Sequence, residues 1–258
     1  MSQARPDQAV PYIGHRPVIP ARINAAVPRV PQAVLERFRK AYVPDVSDAV
    51  GALYTMEAGI KPLYAGMPRV VGQALTVKAP PGDNLTVHGA LTMVQEGDIL
   101  VVDWRGHTES CATGASALVV PISRGLKGVV ADGAWRDAAE LSALQFPICA
   151  RGLTAFSPPK DRIGEINVPV ACGGVVVEPG DVVVGDEEGV VVVPQRWADQ
   201  VADALTDYEG PKRFEDFDIA ALEPGYEQRK RYFEQSITTA RPAPGPDQEG
   251  TRGDRRDR

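Results

Sequence analysis

An arginine followed directly by an aspartate, Arg136 and Asp137, closes the segment GVVADGAWRD that begins at Gly128. The pair sets a fixed cation beside a carboxylate where an apolar run ends in a Gly-bracketed turn. A guanidinium grips a carboxylate or enolate through parallel N–H groups, and one carboxylate plus water is the usual way to hold Mg²⁺, which dehydrates reluctantly. One such pair can therefore hold an anionic substrate and a divalent cation together. It equally suits a solvated ion pair at a strand end. A second chemical element lies upstream, where a helix begins near the run Cys111, Ala112, Thr113, Gly114, Ala115, Ser116, whose small side chains leave backbone N–H groups accessible at its positive end. A carboxylate can dock there. Arg136 for charge, Asp137 for metal and these amides for a carboxylate make a site for a small 2-oxo acid and stabilise its enolate. His107 sits in the loop WRGHTES after an apolar strand, at the edge where open α/β sheets carry their sites. It also suits plain solvent exposure.

Other chemistry is less well supported. PPGDN at 80–84 precedes a helix but fits neither dinucleotide nor Walker patterns, so Asp83 or Asn84 is assigned to helix capping. His88, on that helix, is assigned to packing. Cys111, Cys149 and Cys172 are too few and too widely spaced for a disulfide framework or a zinc site, and read as reduced thiols.

The elements that must position these residues follow from period and composition. The chain has 258 residues, 43% hydrophobic and 24% charged, which is enough for one sizeable core. Its net charge of −6 argues against general nucleic-acid binding, which needs a basic face. No apolar stretch approaches the roughly 20 residues of a membrane span, and the N-terminus lacks signal-peptide order, so a cytoplasmic location is expected. Residues 1–30 are Pro-rich and read as an extended arm, 31–210 as the catalytic domain, 211–240 as a helical extension, and 241–258 as a disordered tail.

Helices are expected over 31–39 and 46–54, the second capped by Ser47 or Asp45. From Val70 the period changes to a βα alternation of about 25 to 30 residues per repeat, the signature of parallel strands. Strands are expected from Val70, over 98–103, 127–131 and 147–151, with helices over 84–95, 112–124 and 138–144. Short β-rich runs at 168–177, 181–185 and 189–193, separated by PGD and DEEG turns, predict antiparallel hairpins. Helices over 197–208 and 225–236 complete the reading.

The ordered set GDILVVD, small-residue helix, RGLKGVVADGAWRD and GDVVVGDEEGVVVVP, spanning about Val46 to Val193, resembles the RraA-like family. That family includes divalent-metal-dependent 4-hydroxy-4-methyl-2-oxoglutarate and 4-carboxy-4-hydroxy-2-oxoadipate aldolases, which also decarboxylate oxaloacetate, and the regulator of ribonuclease E activity. The resemblance implies an α/β fold, an αββα sandwich like the swivelling phosphohistidine domain, with mixed parallel and antiparallel strands. It further implies homotrimers or homohexamers with sites between subunits. Carried over by position, Arg136 binds substrate, Asp137 binds Mg²⁺ or Mn²⁺, and the backbone from Gly114 to Ala117 binds the pyruvyl carboxylate. One departure stands out. The aldolases carry an Asp with twenty residues between it and the Arg, and here that position is Ala115. Its role in proton transfer would pass to Glu109, His107, Ser116 or a neighbouring subunit, at a cost of about 10² to 10⁴-fold if nothing replaces it. The expectation is a metal-dependent lyase acting on a small oxo or hydroxy polycarboxylate. The alternatives are another enzyme on the scaffold (isomerase, hydratase or biosynthetic lyase) and a noncatalytic ribonuclease regulator.

Overall fold

The computed structural model describes residues 19–238, in two units, Met1–Tyr208 and Glu209–Arg258. Residues 1–18 of the arm and the whole predicted tail lie outside the described residues.

In the first unit, α1 (Gln32–Lys40) and α2 (Val43–Ala49) precede β1 (Lys61–Pro62) and β2 (Val70–Lys78). Helices and strands then alternate through α3 (Leu85–Leu91), β3 (Asp98–Cys111), α4 (Ala115–Ser123), β4 (Gly128–Trp135), α5 (Ala138–Ala143) and β5 (Ile148–Leu153). The short β6 (Glu165–Ile166) leads to two hairpins, β7 (Val170–Cys172) with β8 (Val175–Val177) and β9 (Val182–Asp186) with β10 (Gly189–Val193), before α6 (Ala198–Ala204). The second unit contains α7 (Ile219–Thr238), whose first turn is capped by Asp218 Oδ1 accepting from the Ala221 N–H at 3.2 Å. Among the described residues no helix is long and apolar enough to cross a membrane.

The main sheet runs β1-β5-β4-β3-β2-β9-β10. Strands β2 to β5 are parallel, whereas β1, β9 and β10 pair antiparallel with their neighbours. This is a mixed α/β fold with a mixed sheet. Alternation of side chains sorts the core into layers. Leu100, Val102, Val129, Ala131, Ile148 and Ala150 pack against the helices α3, α4 and α5 through Val87, Leu118 and Leu141. Ile99, Val101, Val130 and Cys149 face the other way, onto Val170, Cys172, Val183, Val190 and Val192 of the hairpins. The outer faces of β9 and β10 (Val182, Val184, Val191, Val193) are covered by α1, α2 and α6. Helices, sheet, hairpins and helices thus stack as αββα. Strands β2 and β3 meet so closely at Gly72 that a Cβ there would lie 2.5 Å from the Gly97 carbonyl oxygen.

Several boundaries differ from the sequence expectation for local reasons. Pro44 in its first turn starts α2 at Val43, and the positive φ of Gly51 (+67°) and Ala52 (+59°) ends it before Tyr54. The stretch expected as a loop after Asp103 remains in β3 to Cys111. Its pairing with β4 slips between Asp103 and His107 and again before Cys111, where Asp103 Oδ1 accepts from the Arg105 N–H at 3.1 Å and Arg105 and Gly106 take positive φ. β4 likewise continues beyond Ala131 to Trp135, so the turn begins at Arg136 rather than at Asp132. α6 stops at Ala204 because Tyr208 stacks on Tyr42 at 4.4 Å and donates its N–H to the Lys40 carbonyl, drawing the chain off the helix. The described part of the arm is extended and tied down, with Asn24 and Asn167 exchanging side-chain to backbone hydrogen bonds of 2.7 and 2.8 Å.

Candidate active site

Strand β4 delivers Arg136 and Asp137 to the carboxyl edge of the parallel sheet, between the openings of α4 and α5. Asp137 adopts φ 63°, ψ 41°, a left-handed conformation that Asp tolerates better than most residues. This turns its carboxylate away from its own helix. Oδ2 accepts the Ala115 backbone N–H at 2.9 Å and so caps α4 instead. The same oxygen lies 3.8 Å from Arg136 Nε, which is buried and has no hydrogen-bond partner among the described residues. Gly114, the N-cap of α4, completes the contact. A Cβ on it would lie 2.0 Å from Asp137 Oδ2 and 2.9 Å from Arg136 Nε. No side chain fits.

The structure therefore brings Arg136, Asp137, Gly114 and Ala115 together, with Ser116 exposed and Ala117 partly covered on the next residues of α4. A cavity of about 470 Å³ opens over the Arg136–Asp137 pair, lined by Arg136, Asp137, Ala138, Leu153, Thr154 and Ala155. The last three were missed from sequence because β5 was expected to stop at Arg151. A strand running to the same edge was the available signal.

His107 does not line this cavity. Its Nε2 is 2.8 Å from Ser110 Oγ and its ring meets the Trp104 ring edge-on at 5.1 Å. Glu109 is exposed on the irregular end of β3. Cys111 is buried, its N–H donated to the Phe156 carbonyl at 2.8 Å. Burial pushes its thiol pKa up despite the nearby Arg136 charge. His88 is partly buried on α3, and desolvation followed by the charge of Lys160 lowers its pKa. Capping of α3 falls to Asp83, whose Oδ1 accepts from Leu85 N–H at 3.0 Å, while Asn84 donates to the Ala112 carbonyl.

One further group at this edge escaped the sequence reading. Asp132 pairs with Arg151, which also reaches Glu57 Oε2 at 3.0 Å, and Asp132 Oδ2 accepts the Gly173 N–H at 3.1 Å. Hydrogen bonding to Asp132, more than any other influence, raises the Arg151 pKa. With Asp103 accepting from Ala171 N–H, these charges fasten the β7–β8 hairpin over the inner face of the sheet.

Among the described residues no three His, Cys, Asp or Glu side chains gather in a metal-binding group. Asp137 is the single carboxylate lining the cavity. Its Oδ1 makes no hydrogen bond within the described residues, and about a third of the side chain (34%) is open to solvent. Such a donor suits a hard divalent cation that keeps most of its waters.

Comparison with known proteins agrees with this architecture. A family model described as RraA-like, Aldolase/RraA, matches residues 43–192. A protein of Halalkalibacterium halodurans, provisionally named 4-hydroxy-4-methyl-2-oxoglutarate aldolase, is 41% identical over 161 residues, covering 62% of this chain and 76% of its own. A protein of Ectopseudomonas mendocina with the same provisional name is 30% identical over 152 residues, 59% of this chain and 93% of its own. The crystal structure of Streptomyces coelicolor RraAS2, described as an unusual member of the RNase ES inhibitor RraA family, superposes with a TM-score of 0.63 at 26% identity. It covers 80% of this chain and 99% of that one. With its matched segment taking in every strand of the main sheet except the last residue of β10, the chain belongs to the RraA-like family.

Proposed function

We propose that this protein is a lyase that cleaves or decarboxylates a small oxo or hydroxy polycarboxylate through a pyruvate-like enolate. The observation that carries this reading is Arg136 Nε–H, buried without an acceptor beside a lone carboxylate and an opening helix. A buried donor left unpaired is costly, and an anionic oxygen is the partner that relieves it.

The first-turn amides of α4 beyond Ala115, whose N–H Asp137 takes, have no carbonyl to bind within the helix and lie at its positive end, so they receive the substrate carboxylate. Arg136 faces the oxygen on which charge accumulates as the C–C bond breaks and its electrons enter the enolate. Asp137 would hold the Mg²⁺ or Mn²⁺, which would supply further positive charge to stabilise the enolate. Leu153 and Ala155 wall the cavity with apolar surface. The methyl group of Ala115 moves no proton, and the exposed hydroxyl of Ser116, on the same turn, is the nearest in-sequence group that can relay one from water. Val119 and Val120 on α4 are 55% and 56% exposed, an apolar face suited to burial by a neighbouring copy in a homotrimer or homohexamer.

Pyruvate release from a panel of 2-oxo acids, with Mg²⁺ or Mn²⁺ and with chelator, tests the proposal. Arg136→Gln and Asp137→Asn should each lower the rate by about 10² or more, roughly the loss on deleting one oxyanion donor, with the fold retained. Absence of pyruvate from every acid in the panel excludes the lyase. Ala115 also favours a second reading, a binding protein that regulates a ribonuclease, in keeping with the description of RraAS2 as a member of an RNase ES inhibitor family. Inhibition of a ribonuclease E by the Arg136→Gln variant as strong as by the unaltered protein would support it, and no inhibition by either would remove it.

A further inference from the structure

At the opposite end of β4 from Asp137, three cations converge on one concavity. Arg39 from the last turn of α1, Arg69 just before β2 and Lys127 just before β4 line a cavity of about 420 Å³ whose remaining walls are Val70, Val71 and Pro147. No acidic side chain lines it. We propose that this is a binding site for a compact multivalent anion, a phosphomonoester or a small polycarboxylate, separate from the candidate active site.

The arginine at its centre is held in place. Arg69 Nη1 donates to the Ala41 carbonyl, Nη2 lies 3.4 Å from Asp186 Oδ2, and the guanidinium sits 5.6 Å from the centroid of Tyr208, itself stacked on Tyr42. These contacts fix a side chain only 24% exposed and use two of its five N–H donors. The remaining donors are oriented without further loss of side-chain freedom when an anion arrives.

The charge balance points the same way. Arg39 pairs with Glu36 on its own helix and Arg69 with Asp186, whereas Lys127 has no carboxylate within 4.0 Å among the described residues. Two carboxylates thus face three cations in a chain whose overall charge is −6. Such a local excess concentrates anions, and planar guanidinium forks match the paired oxygens of phosphate and carboxylate. The apolar floor of Val70, Val71 and Pro147 suits the carbon skeleton of such a ligand better than a bare ion. β4 has eight residues, which puts this cavity about 25 Å from Asp137. The site is independent of the lyase proposal.

Calorimetric titration of the full chain with inorganic phosphate, glycerol 3-phosphate and citrate, at fixed ionic strength in a chloride buffer, tests it. At least one anion should bind at millimolar concentration or below. Lys127→Gln and Arg39→Gln should each weaken binding about tenfold, while Arg136→Gln leaves binding of phosphate and glycerol 3-phosphate unchanged, and citrate, which resembles the acids proposed for the active site, is titrated in the Arg136→Gln background. The ranking of the phosphate esters against citrate identifies the source of the anion. Failure of all three to bind up to about 10 mM, binding unaffected by both cavity variants, or phosphate and glycerol 3-phosphate binding lost in Arg136→Gln would each overturn the site.

Discussion

Gly114→Ala is the most direct probe of the Asp137 contact. The backbone at Gly114, φ −133° and ψ −176°, is ordinary extended chain, so alanine introduces no conformational strain there. Its effect comes from the Cβ, placed 2.0 Å from Asp137 Oδ2. Non-bonded contact needs about 3.5 Å, so the carboxylate must retreat by more than ~1 Å. That breaks the charge-assisted hydrogen bond to Ala115 N–H, worth about 1.5–3 kcal/mol. At about 2–4 °C per kcal/mol for a domain of this size, Tm should fall by about 3–12 °C. Misplacing a reacting group by ~1 Å costs about 10²-fold, and pyruvate release should fall by that factor. Thermal unfolding followed by circular dichroism and a coupled pyruvate assay read the two effects separately. The double variant Gly114→Ala/Asp137→Gly also lacks the acceptor for Ala115 N–H, so although glycine is at ease with φ 63° its Tm should stay below that of the unaltered protein, with activity no higher than in the single variant. A Gly114→Ala protein with unchanged Tm and rate, or a double variant that regains the full Tm of the unaltered protein, would refute the contact.

Ala115→Asp restores a carboxylate at the first residue of α4, where the helix end favours negative charge. Calorimetry should show at least about tenfold tighter Mn²⁺ binding, since a second carboxylate joins Asp137, and unchanged affinity would show that the two side chains do not converge. Burial pushes the Asp83 carboxyl pKa up, but backbone N–H donors from Asp161, Leu85 and Arg162 outweigh it and hold the group below its ordinary value. Because the folded pKa is depressed, its stabilisation is present above the unfolded pKa and is lost as pH falls through the folded one. Asp83→Asn should therefore cost about 1–3 kcal/mol in urea melts at neutral pH and much less in strong acid, and a pH-independent difference would contradict this. Burial pushes the Cys149 thiol up to about 12 and raises Cys111 and Cys172 as well. A thiol-disulfide colour reagent at about pH 8 should find no rapidly reacting cysteine until the protein is unfolded, and a fast thiol in the folded state would place one of them at the surface.

The parallel centre of the sheet was legible because β2 to β5 are buried on both faces and read as continuous apolar runs. The β9–β10 hairpin was legible from its DEEG turn, whereas the β7–β8 hairpin turns at Gly173 and Gly174 inside what read as a single run over 168–177. The far end of β3 was not legible, since Arg105 to Glu109 stay in the strand as a bulged, polar stretch without period-two alternation. Helix α2 was misplaced because Ser47 looked like a cap while Pro44 sets the start. Arg136 and Asp137 were found as a local motif, and Gly114 as part of a small-residue helix opening. What sequence order concealed was their contact, since the Ala115 amide meets a carboxylate 22 residues away through the sheet. The lining by Leu153, Thr154 and Ala155 stayed hidden for the same reason, being set by where β5 ends in space.

The hydrogen bond between Ala115 N–H and Asp137 gives the helix opening a tethered competitor for any external carboxylate. A tethered group acts at a high effective concentration, so a free acid must displace it and loses apparent affinity by that ratio. A divalent cation that draws Asp137 toward itself releases the amide. Cation and oxo acid are then thermodynamically linked, each strengthening the other by the same factor, because linkage is reciprocal. Under the proposed lyase function, Asp137 would thereby couple the occupancy of one ligand to that of the other.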